Sequence, residues 1–114
     1  MRYMLLLYER EATWAGFDDA ERDRQIAAYR RIHDEHAADG RVIAAEPLAP
    51  VATATSVRVG AGGTDVQDGP FAETREQLGG FYLIECDDLD DAIAVAEQLP
   101  CAATGTVEIR PIGH

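Results

Sequence analysis

The stretch DGPFAETREQLGGFYLIE, residues 68–85, holds the side chains best placed for chemistry. Asp68 opens an Asp-Gly-Pro turn. Its carboxylate can bond a backbone N–H one or two residues on, the usual role of an aspartate in a turn. It can also face a pocket in ionised form, as a general base or hydrogen-bond acceptor. Phe71 serves either as an apolar wall of that pocket or as an anchor for the loop. Glu73 and Arg75 read as surface ion pairs of little energy. Thr74 and Gln77 resemble a capping box that starts one short helical turn, which Gly79 ends. The double glycine then admits a sharp entry into the strand at Phe81.

Further candidates lie in the strands and on one helix. Tyr8, Tyr82 and Glu46 interrupt apolar strands, and a buried hydroxyl or carboxylate must find a partner. Inside a cavity between sheets they would orient a polar ligand; hydrogen bonds within an interface account for them as well. Tyr29 joins them as a ligand-binding candidate, on a helical stripe with Ile26, His33 and His36. The two histidines could hold a metal only if a carboxylate faced them, and the alternative is that they edge a core. No metal and no bound cofactor is expected. His114 ends the chain and is expected to fray. The motifs of phosphate-cradling loops, nucleophile elbows and dinucleotide sites are missing from the sequence.

Positioning these residues takes two halves with one grammar. RYMLLLYE, a helix from FDDAERDRQ to a stop at Gly40, and RVIAAEPL form the first. GGFYLIEC, a helix in DDLDDAIAVAEQLP closed by Pro100, and TVEIRPIG form the second. Asp pairs at both helix starts suit the free N–H groups and the dipole there. Two tandem βαβ units make a ferredoxin-like βαββαβ domain: one antiparallel sheet with both helices on one face, an α+β fold. Between the halves, Ser56–Val59 and Thr64–Gln67 alternate as strands of a hairpin turned by GAGG.

The strands are apolar on both sides. Tyr3, Leu5 and Leu7 point one way and Met4, Leu6 and Tyr8 the other; Phe81 and Leu83 oppose Tyr82 and Ile84. Helices cover only one face, so a second copy of the chain is expected on the other, as a homodimer stacked across a two-fold axis.

Composition narrows the partners. The 114 residues suit a single domain, and a net charge of −11 argues against nucleic acid or an anionic membrane surface as partner. The apolar run near the N-terminus is too short for a signal segment, so a cytoplasmic location is expected. Cys86 and Cys101 fall at opposite ends of a strand of about 20 Å, beyond the roughly 4.4–6.8 Å Cα separation of a disulfide. They are read as free thiols.

YMLLLYE, ATATSVRV, DGPFAETREQLGGFYLIE and VEIRP together resemble the YCII-related family, in its DGPF-loop branch, over residues 1–114. The resemblance implies a ferredoxin-like domain that dimerises as an α+β barrel, and a genomic association with extracytoplasmic-function sigma factors. The wider family also carries a proposed His–Asp pair, and the corresponding places here hold Tyr29 and Leu99. Two functions are therefore expected to compete. One is binding or conversion of a small organic metabolite in a pocket near the 68–73 loop. The other is a regulatory or interaction role linked to a sigma factor, with the loop as docking surface.

Overall fold

The computed structural model describes residues 1–113, and His114 lies outside the described residues. The first half comprises β1 (Arg2–Glu9), a short helix α1 (Glu11–Gly16), the long helix α2 (Asp19–Ala38) and β2 (Val42–Pro47). A 3-10 turn at Val51–Thr53 leads into β3 (Thr55–Gly60) and β4 (Gly63–Asp68). The second half is β5 (Gln77–Glu85), α3 (Leu89–Ala96), α4 (Cys101–Thr104) and β6 (Thr106–Pro111). The main sheet runs β2-β5-β1-β6 with every neighbouring pair antiparallel, the ferredoxin-like order. β3 and β4 pair only with each other.

Local chemistry sets the helix ends. Asp18 Oδ1 accepts the Glu21 N–H at 2.8 Å and Asp88 Oδ1 accepts the Asp91 N–H at 2.9 Å, so each acid caps its helix as its position predicts. Gly40, at φ 81°, lets the Arg41 N–H reach back to the His36 carbonyl and closes α2 in a Schellman motif. Pro100 does not end the second helix. α3 stops at Ala96, a turn follows, and Pro100 starts α4, as suits a residue with no N–H to give.

The core lies between the sheet and the helices. Tyr3, Leu5, Leu7, Tyr82 and Ile84 meet Ile32 of α2, Ala92, Val95 and Ala96 of α3, and Leu99 and Cys101 beyond. The inward stripe of α2 is Tyr29, Ile32 and His36, at spacings of three and four. Ile26 is exposed and His33 only half-buried, so the expected stripe is rotated and the two histidines do not face one site. His36 sits inside, with Nδ1 3.2 Å from Asp39 and Nε2 3.3 Å from Gln98 Oε1. His33 turns outward to Asp34. Both cysteines are buried and free: the Cys86 N–H donates to the Met1 carbonyl, whereas the Cys101 thiol meets the Tyr8 carbonyl at the other end of β1.

The opposite face of the sheet is open. Cross-strand partners put Met4, Leu6 and Tyr8 beside Leu83, Phe81 and Leu78, with Glu46, Glu108 and Arg110 around them. The hairpin also has an apolar side, where Val57 and Val66 pair next to Val59; these three are 60%, 61% and 77% exposed. The chain measures 49 × 42 × 20 Å, and its radius of gyration of 15.9 Å exceeds the roughly 13 Å expected of a compact domain this long. Among the described residues no helix is long and apolar enough to cross a membrane.

Gly105 fixes how the second half meets β1. A Cβ there would overlap the Tyr8 carbonyl oxygen and lie 3.0 Å from the Glu9 Cα, both backbone atoms that cannot swing aside. Gly105→Ala is expected to cost about 3 kcal/mol, the upper end of the range for overpacking. Chemical denaturation of the two proteins checks this, and equal midpoints would refute the close packing of β6 on β1.

Candidate ligand-binding site

A bulge interrupts the β1–β5 pairing near one end of the open face. Leu7 faces Gly80 but Tyr8 faces Leu78, so Gly79 is an extra residue in β5. An open cleft of about 630 Å³ lies there. Tyr8 comes to it from β1, Arg10 from the β1–α1 junction, and Thr74, Arg75 and Glu76 from the loop before β5. Thr104 at the end of α4, with Thr106 and Glu108 of β6, completes the lining.

Gln77 ties these pieces together. Its side-chain oxygen accepts the Glu11 N–H at 3.0 Å, and its amide nitrogen donates to the Thr74 carbonyl at 2.6 Å. The loop carrying Arg75 is thus bound to the segment carrying Arg10. These bonds also explain why no capping box or helical turn forms at Thr74–Gln77: Gln77 is already the first residue of β5, paired with Glu9, and Thr74 Oγ1 donates to the Glu76 carbonyl.

The hydroxyls and charges of the cleft are unevenly committed. Thr106 Oγ1 donates to Glu76 Oε1 at 2.8 Å, and Thr104 Oγ1 donates to the Glu9 carboxylate. Glu108 accepts from Arg110 at 3.3 Å. Among the described residues, neither Arg10 nor Arg75 pairs with a carboxylate. A smaller depression of about 390 Å³ at the other end of β1 differs in this respect. Its terminal amine meets Glu85 at 3.1 Å, and its Arg41 meets Asp91 at 2.9 Å.

The residues singled out from sequence do not gather in one place within a single chain. Tyr8 lines the cleft. Glu46 lies on the open face opposite Phe81, at the far side of β5. Asp68 ends β4, and its carboxylate does not cap the turn: the Gly69 N–H donates instead to the Ala54 carbonyl at 2.6 Å, extending the hairpin. Phe71 is 81% exposed and anchors nothing within its own chain. Tyr29, on α2, and Tyr82, on β5, lie on the helix side of the sheet and not on the open side. The Tyr29 hydroxyl accepts the Cys101 N–H at 2.9 Å, while the Tyr82 hydroxyl donates to the Tyr29 carbonyl at 3.1 Å. Sequence reasoning passed over Arg10, Thr104, Thr106 and Glu108, and took Arg75 for a surface ion pair that does not form. Among the described residues no three or more His, Cys, Asp and Glu side chains group to hold a metal.

With this geometry in hand, comparison with known proteins places the chain in a family. It belongs to the YCII-related domain family, whose sequence profile matches residues 1–114. It is 38% identical over 114 residues to an uncharacterized protein of Rhizobium meliloti (strain 1021), an alignment covering 98% of this chain and 92% of that protein. Tyr29 is committed to the α4 backbone, and Leu99 is 1% exposed.

Burial makes that region reluctant to ionise. It pushes Tyr29 well above the ordinary tyrosine range and Tyr82 up to about 12. Cys101 rises to about 11, through burial first and the Glu9 carboxylate second. Each group therefore holds its proton more tightly folded than unfolded. Stability is unaffected while both states stay protonated, below the ordinary thiol value of 9.0. Above it the unfolded chain loses protons that the folded chain keeps, so stability falls as pH rises through the 9.0–12 window. Denaturation midpoints across that window check this. Midpoints that stay level would show these groups to be hydrated in the folded protein.

Proposed function

We propose that this protein is a homodimer that binds a small organic molecule in the cleft bounded by Tyr8, Arg10 and the Thr74–Glu76 loop. The observation that carries the reading is the cleft. Its volume of about 630 Å³ falls in the usual range for small-molecule sites, and it joins an aromatic ring to several polar groups, on a loop that Gln77 ties to the segment carrying Arg10. Its loop wall begins at Thr74, and no residue of the 68–73 loop lines it. The reading needs no acid–base role for Asp68, which stands outside the lining.

Dimerisation is supported by what a single chain leaves uncovered. Two sheets stacked on their open faces would bury Met4, Leu6, Phe81 and Leu83 around a two-fold axis. An isolated two-stranded hairpin is marginal in water, and the valine side of β3–β4 gains cover in the same assembly. The two clefts would then border the seam, with the second protomer closing each. The exposed Phe71 favours a second reading, in which the loop docks a protein partner such as a sigma factor.

Sedimentation at micromolar concentration separates the two. The expected result is a dimer, converted to a folded monomer by Leu6→Glu, because a carboxylate buried at the centre of an apolar interface has no partner. A wild-type monomer would overturn the dimer and favour the docking role.

A further inference from the structure

We infer that the ligand of the cleft is an organic anion carrying hydroxyl or amine groups, with its acidic group held between Arg10 and Arg75. The inference rests on the small-molecule reading above and adds the chemical class.

The chain has 21 acidic residues and 10 basic ones, all of them arginine, so a guanidinium meets a carboxylate easily. Arg22, Arg24, Arg31, Arg41 and Arg110 do so within the chain, and among the described residues Arg2, Arg30 and Arg58 do not, but these three line no common cleft. Arg10 and Arg75 line one cleft, and among the described residues each lacks such a partner. Two carboxylates share the lining, each already engaged at one oxygen: Glu76 accepts from Thr106, and Glu108 from Arg110. Two guanidinium groups lining one cleft suit a carboxylate or phosphate, which can accept two parallel bonds from such a fork of N–H donors. A field set by a net charge of −11 repels anions from the rest of the surface, so recognition must come from these local donors.

A threonine hydroxyl has one proton and two lone pairs. Thr74, Thr104 and Thr106 each give that proton to a protein oxygen. What they retain toward the cleft is acceptor capacity, which meets O–H or N–H donors on a ligand. Cationic donors for an acid and neutral acceptors for hydroxyls thus line one space, a pairing suited to hydroxy acids and phosphorylated polyols over plain hydrocarbons.

The test is titration calorimetry of the purified wild-type protein with gluconate, glycerol 3-phosphate, hexanoate, inorganic phosphate and the neutral gluconamide. Arg10→Gln and Arg75→Gln are run beside it, with denaturation midpoints as a folding control. Gluconate or glycerol 3-phosphate is expected to bind, gluconamide and hexanoate at least about tenfold more weakly. Each arginine substitution is expected to cost about tenfold or more, in line with a lost charge-assisted bond, at unchanged stability. Binding of inorganic phosphate as tight as that of glycerol 3-phosphate would refute the hydroxyl argument. Binding of gluconamide equal to gluconate, undiminished in the arginine variants, would overturn the anionic class but leave a small-molecule site. No binding by any of the five, with the wild type folded, would overturn both.

Discussion

β1 is apolar on two faces, and its own chain covers only one. That constraint organises the molecule. β1 is the strand that bonds to both β5 and β6, so it holds the two βαβ halves together. Its inward residues, Tyr3, Leu5 and Leu7, are buried by α2, α3 and the turn at Leu99. Its outward residues, Met4, Leu6 and Tyr8, remain half-covered. Burying an aliphatic side chain of this size is worth about 1.5–3 kcal/mol. A half-covered row of them at the centre of a sheet would gain a part of that for each residue on association. The flat outline and the valine face of the hairpin point the same way.

The two sides of the sheet also divide chemistry from structure. On the helix side the polar groups answer one another: Tyr82 bonds the Tyr29 backbone, Tyr29 bonds the start of α4, and His36 bridges Asp39 and Gln98. These bonds tie α2 to the sheet and to α4. On the open side, at the end of β1, the polar groups are not all answered within the chain. Gln77 binds the loop to α1, and Gly105 lets β6 close on Tyr8. Both hold Arg10, Arg75 and the threonines in place without using up the two guanidiniums. The side that would face a partner is thus also the side with spare binding capacity.

The alternation of β1 and β5 carried the fold in plain view. Period-two patterning that is apolar on both faces, Asp caps at 18 and 88, and Gly40 were enough to read the two halves, the hairpin and the free cysteines. α1 escaped because six residues with no buried side chain leave no periodic signal. The Thr74–Gln77 turn was misread because a local capping pattern competes with strand pairing, and pairing with Glu9 won. The binding site was harder. Tyr82 alternates correctly, but alternation does not say which face receives the helices. Arg10 and Arg75 look like ordinary surface charges until register and loop path bring them together, and their lack of partners is a property of three-dimensional distance alone.

The central claim is that the open face of the sheet is buried by a second copy. Hydroxyl-radical footprinting of the native protein tests it most directly, with oxidation read by mass spectrometry at Met4 and Phe81 and at Met1, which is 66% exposed, as the reference. The account predicts that Met4 and Phe81 are strongly protected in the wild type and become reactive in a folded Leu6→Glu protein, while Met1 reacts equally in both. Equal reactivity of Met4 and Phe81 in the two proteins would contradict it.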